Sequence, residues 1–134
     1  MIIVAKHWRD IDLLQWRWQY FKPVEIASHG DGSIRIRSEF MDALTDLRLV
    51  LGHSIVLSSA YRDPVHNARI GGEPLSRHKI CDAGDLQHIR MKVDQDYLVE
   101  QARGVGFSGI GLYDTFTHLD LGPTRIWDYR SAHA

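Results

Sequence analysis

Phe40, Leu44, Leu47 and Leu51 recur at spacings of four, three and four. That rhythm repeats on one face of a helix with 3.6 residues per turn, so Ser38 to Leu51 reads as an amphipathic helix stopped by Gly52. No other segment carries so long a helical period. The rest of the chain offers short apolar stretches instead. Ser54 to Ser59, Gly84 to Ile89, Gly109 to Tyr113 and Thr117 to Leu121 read as strands, the last two joined by a tight turn around Asp114. Pro64 to Ile70 reads as a short helix ended by Gly71-Gly72, and Asp94 to Arg103 as a second helix capped by Asp94 and stopped by Gly104. The expected fold class is α+β: a small, mainly antiparallel sheet with helices packed on one face.

The 134 residues suit one compact domain, and no repeat, linker or low-complexity segment divides them. A hydrophobic share of 44% beside 25% charged residues fits a soluble globular protein. The net charge of −1 supplies no field for nucleic acid or an anionic membrane, so neither is an expected partner, and the expected state is a monomer. The single cysteine, Cys81, rules out a disulfide framework within the chain and reads as a small buried apolar residue. The N-terminal apolar run is too short for a signal peptide, and no stretch approaches a membrane span. The expectation is synthesis in the cytoplasm, with any action at a cell wall following export or release.

The first 37 residues show no clear period. Trp8, Trp16, Trp18, Tyr20 and Phe21 lie there, and the preferred reading is an irregular segment wrapped over one side of the core. A substrate groove lined by these aromatics is the lesser alternative.

The segment richest in chemistry is Ser76-Arg77-His78-Lys79-Ile80-Cys81-Asp82-Ala83-Gly84-Asp85. A His and an Asp stand seven positions apart, the Asp entering an expected strand. Far along the chain, Thr117-His118-Leu119-Asp120 lies on another strand. Catalytic zinc takes three protein ligands from His, Asp or Glu and keeps a position open for water, whose pKa it lowers to about 7. Two ligands from one loop and strand and a third from a neighbouring strand would build such a site. Spacing alone does not select this reading, because a chain with eight His can produce such a pair by coincidence.

The order of several motifs adds to it. Ser76, His78, Ala83 and Asp85 match Ser-x-His-x-x-Gly-x-Ala-x-Asp, and His118 and Asp120 match a later His-x-Asp. Ser59-Ala60-Tyr61-Arg62 is close to Ser-Gly-Tyr-Arg, Asn67 to Gly72 to Asn-x-x-x-Gly-Gly, and Phe21 to Glu25 to Phe-x-x-x-Glu. Gly109-Ile110-Gly111-Leu112-Tyr113 and Gly122 to Trp127 fit as well. In these motifs the sequence resembles the zinc D-alanyl-D-alanine carboxypeptidase and L-alanyl-D-glutamate endopeptidase family. Phage endolysins and murein endopeptidases belong to that family, and it shares its fold with the Hedgehog signalling domain. The resemblance covers residues 21–128 as the family core, with 1–20 as an N-terminal extension.

The resemblance implies a zinc peptidase acting on the stem peptides or cross-links of bacterial peptidoglycan, with His78, Asp85 and His118 as ligands. Arg62 takes the place of an arginine that faces the substrate, where a guanidinium could hold a carboxylate or an oxyanion; its alternative is a structural ion pair. Ser76 and Tyr61 are the further substrate-binding candidates, with a bond to the loop backbone or a turn-stabilising role as the alternative for Ser76. Many relatives place Glu or Asp three residues before the last His, where this chain has Thr115. The general base is therefore assigned to Asp120 or Asp114. Strand alternation puts Asp120 on the face of His118, from which it could reach the metal water or orient the ligand. Cys81 replaces the motif's Gly and is expected to alter the loop locally. His66 and His88 flank the site in sequence and could contact substrate, though each reads by default as solvated or locally bonded; His29 reads as a surface residue, and His7, His53 and His133 carry no signal. Rival readings are a non-catalytic zinc recognition module, favoured by Thr115, a phage structural protein, and a cytoplasmic dipeptidase.

Overall fold

The computed structural model describes residues 1–72 and 76–131. Its elements in order are β1 (Ile2–Ala5), a 3-10 turn (Trp8–Asp10), α1 (Pro23–Ile26), β2 (Ile34–Arg37), α2 (Ser38–Leu51), β3 (Leu57–Ser59), α3 (Pro64–Arg69), α4 (Arg77–Ile80), β4 (Ala83–Leu86), α5 (His88–Met91), α6 (Gln95–Gly104), β5 (Gly109–Leu112), β6 (Thr117–Asp120) and β7 (Arg125–Asp128). β3, β4, β6, β5 and β7 form a five-stranded sheet in that order, antiparallel throughout except for the parallel β5–β7 pair. The fold is α+β, as the apolar patterning implies.

Helix α2 spans the residues its periodicity marks and ends at Gly52, whose φ of 74° closes the C-terminus in the left-handed conformation. Its Phe40, Leu44 and Leu47 are fully buried. Phe40 lies so close to Gly84 that a Cβ there would meet its ring at 3.0 Å, so the helix supports the centre of β4. Leu86, Ile110 and Leu119 face the same core. Alternation then turns Asp85, His118 and Asp120 to the opposite face of the sheet.

The N-terminal expectation needs correction. Residues 1–37 are not irregular: β1 and β2 pair antiparallel, with Ile34 and Ile36 buried. Ile34-Arg35-Ile36-Arg37 does alternate, but over four residues only. Trp18 and Phe21 are buried in the core, and the Trp16 indole donates to Phe21 O at 2.6 Å. The segment wraps the core, and none of its tryptophans lines the cleft described below. Phe21 and Glu25 have structural work: Glu25 Oε2 accepts from Lys22 N at 2.6 Å and closes the start of α1.

All four expected strands are shorter than their expected ranges, β3 and β4 by more than one residue. β3 begins only at Leu57, with a register irregularity against β4. β4 ends at Leu86; Gln87 N bonds Val56 O and the chain then turns through α5. β7 was not anticipated, because its Ile126 is exposed and the short segment lacks an apolar stripe.

Candidate metal centre

Helix α4 is only one turn long and is fastened at both ends. Ser76 Oγ accepts from His78 N at 3.2 Å, and Arg77 Nε donates to Asp82 Oδ1 at 2.9 Å, with a second, very short contact between Arg77 Nη2 and Asp82 Oδ2. Cys81 follows with φ 83° and swings the chain into β4. Cys81 itself takes the left-handed conformation that glycine favours, at a cost of about 1–3 kcal/mol. Its thiol is buried, and burial raises its pKa, as suits an inert apolar residue.

This loop delivers His78 to the sheet face where Asp85 of β4 and His118 of β6 stand as cross-strand partners. One ligand-capable atom from each of the three residues lies within 4.8 Å of the other two, and all three residues are buried. His78 Nδ1 lies 2.6 Å from Ala60 O, which can only accept, so Nδ1 carries the hydrogen and Nε2 presents its lone pair. His118 Nε2 lies 2.6 Å from Asp120 Oδ2, which fixes the opposite tautomer and leaves Nδ1 as the acceptor. The two inward nitrogens meet Asp85 Oδ1 at 3.0 and 3.1 Å. Three acceptors thus converge on one point, an arrangement that calls for a cation.

The electrostatics agree. Burial would raise the Asp85 and Asp120 pKa values, yet His78 and His118 at the first, and His118, Arg125 and Gly122 N–H at the second, hold both carboxyls well below the usual range. Burial disfavours a charged His118, but Asp120 and Asp85 outweigh it and raise its pKa.

Around this centre the expected residues fall into different places. Arg62 lines the cleft; its Nη2 reaches Asp85 Oδ2 at 3.3 Å, Nε reaches Ser59 Oγ at 3.2 Å and Nη1 reaches Asn67 Oδ1 at 3.4 Å. Ser76 lines it too, as the cap of α4. Asp120 lies beneath His118 and is fully buried. Its oxygens accept from His118, from Gly122 N at 2.8 Å, and from Arg125 in a bidentate pair at 3.0 and 2.8 Å. Asp120 does not line the cleft, and neither do two further candidates. Asp114 sits on the exposed turn with its carboxylate bonded to Ser131 N and Oγ at 2.9 and 2.7 Å. Tyr61 is buried, its N–H donating to Ile26 O. His88 is bonded to Thr117 Oγ1 and Asp114 O; His29 is exposed, its ring 6.4 Å from that of His66, and neither lines the cleft. His133 lies outside the described residues.

The cleft, of about 470 Å³, has a wall that sequence reasoning left without a role. Tyr113, Phe116, Trp127 and Tyr129 form it, and Arg125 and Arg77 extend the rim. The signal was the spacing of Gly109 and Gly111. On the site face, Asp85, His118, Gly111 and Trp127 form one row across four strands, and Ala83, Asp120, Gly109 and Arg125 the next. A Cβ on Gly111 would meet the Trp127 indole at 2.5 Å, and one on Gly109 would collide with Asp120 and Arg125. The two glycines let β7 lay its side chains across β5 onto His118 and Asp120.

The sequence model of peptidase M15 matches residues 15–120, a span that contains His78, Asp85 and His118. The chain belongs to the peptidase M15 family. In this M15 peptidase the matched span closes on Asp120, while β7, which brings Arg125 and Trp127 to the cleft, follows it. No curated protein matches the chain.

Proposed function

We propose that the protein is a zinc-dependent peptidase that hydrolyses peptide bonds in the stem peptides or cross-links of bacterial peptidoglycan. The convergence of His78 Nε2, Asp85 Oδ1 and His118 Nδ1 carries this reading. The donor set, two imidazoles and one carboxylate with both tautomers fixed from outside, fits zinc better than a hard oxygen-seeking cation. Zinc held there would act as a Lewis acid on the scissile carbonyl and the attacking water. Asp120 orients His118 and holds a hydrogen on its Nε2, so that Nδ1 faces the centre. Arg62 turns Asp85 toward the centre and leaves a guanidinium edge for a substrate carbonyl or carboxylate. Arg77 and Arg125, each held by a carboxylate behind it, bring guanidinium groups to the rim.

One observation favours a second reading, a zinc-holding recognition module. Among the described residues, Asp85 is the only carboxylate that lines the cleft. Digestion of purified peptidoglycan by zinc-loaded protein, with products identified by mass spectrometry beside a His118→Ala control, separates the two. Defined peptides that vanish in the control support the peptidase. Stoichiometric zinc without product on several wall types supports the module.

A further inference from the structure

We propose that the Tyr113 hydroxyl is a catalytic hydrogen-bond donor, placed to hold the carbonyl oxygen of the scissile peptide as it becomes an oxyanion. This rests on the peptidase reading above. The Trp127 indole N–H lies 2.9 Å from Tyr113 Oη, and an indole nitrogen can only donate. Tyr113 Oη is therefore the acceptor in that bond, and its own hydrogen is directed elsewhere. No acceptor for that hydrogen is found among the described residues, and Tyr113 lines the cleft.

The group is fixed. Its ring stacks on Phe116 at 4.3 Å and 11°, its backbone N–H bonds Phe116 O at 3.2 Å, and its carbonyl accepts from Gln95 Nε2 at 3.2 Å. Trp127, which anchors the hydroxyl, lies across Gly111 with its ring 5.0 Å from that of His118. Arg62 approaches the metal residues from the β3 side of the sheet, and Tyr113 from the β5 side, so a carbonyl entering between them meets a donor on each flank. A rigid donor already aimed at developing charge needs no reorganisation during the reaction, which is where hydrogen bonds contribute most to rate.

The test compares zinc-loaded wild type with Tyr113→Phe, which keeps the stack and removes only the hydroxyl. Steady-state kinetics on a soluble wall peptide are paired with calorimetry on two probes, a phosphinate analogue of that peptide and its cleaved product. The expected result is a fall in kcat of about 100-fold with KM little changed. Phosphinate affinity should fall with kcat, product affinity should hold, and the unfolding midpoint and zinc stoichiometry should stay at wild-type values. Trp127→Phe, which frees the hydroxyl from its anchor, should lower kcat by a smaller factor. A Tyr113→Phe enzyme with kcat within about threefold of wild type, or one that loses phosphinate and product binding equally, overturns the proposal. A wild type that cleaves no wall peptide overturns the peptidase reading, and the donor role falls with it.

Discussion

At the scale of single residues, the site is governed by which nitrogen of each imidazole holds its hydrogen. Ala60 O decides this for His78 and Asp120 for His118. Asp120 is not placed to shuttle protons in the cleft. Its four contacts, to His118, Gly122 and twice to Arg125, use its lone pairs, and it is fully buried. Asp120→Asn would leave an amide where His118 needs an anion. Zinc affinity, measured by competition with a chromogenic chelator, should fall by about 10- to 100-fold. Unchanged affinity would mean that His118 is oriented by something else. The ligand-capable residues were legible in the sequence because their motif is ordered and spaced. The roles of Asp120 and Asp114 were not. Alternation puts Asp120 on the right face but cannot say that Arg125, from a strand the sequence did not reveal, saturates it. The turn position of Asp114 was read correctly, yet its carboxylate turns to Ser131, a contact between residues 17 apart.

At the scale of elements, β5 carries no side chain on the site face at Gly109 or Gly111 and serves as the floor under β7. The glycines were noticed as motif residues, but their reason depends on what crosses them, and β7 is too short and too exposed to show itself by pattern. Helix α2 was legible throughout, since fourteen residues of helical period exceed any competing reading. Its link to the site is the Phe40 ring against Gly84, next to Asp85. Phe40→Ala should cost about 3–5 kcal/mol in denaturant unfolding. It should also weaken zinc binding although Phe40 packs on the core face of the sheet, opposite the candidate ligands. A loss of stability with zinc affinity intact would show that β4 keeps its geometry without that support.

At the scale of the whole molecule, the buried charges make stability depend on pH in two opposite senses. Asp85, Asp120 and Asp63 have folded pKa values below their unfolded ones. They contribute fully above about pH 4, and the contribution is lost as pH falls through the folded values. His118 has a raised pKa, so its contribution is complete below about pH 6.5 and is lost as pH rises through the folded value. Burial lowers the His88 pKa, so His88 acts in the opposite sense to His118; chelator-treated wild type should therefore lose stability relative to chelator-treated His118→Gln as pH rises from about 6.5 to 8. Zinc should abolish the alkaline decline, because the metal replaces the proton among the three acceptors and adds its own binding free energy to the folded state. A chelated wild type whose Tm keeps pace with that of His118→Gln up to pH 8 would contradict this.

The proposed activity requires one zinc ion among His78, Asp85 and His118. The most direct measurement is an anomalous difference map at the zinc edge from crystals grown with zinc. One strong peak within coordination distance, about 2.0–2.2 Å, of His78 Nε2, His118 Nδ1 and an Asp85 oxygen is the expected result. A peak on other residues, or none at this centre at full zinc loading, would contradict it.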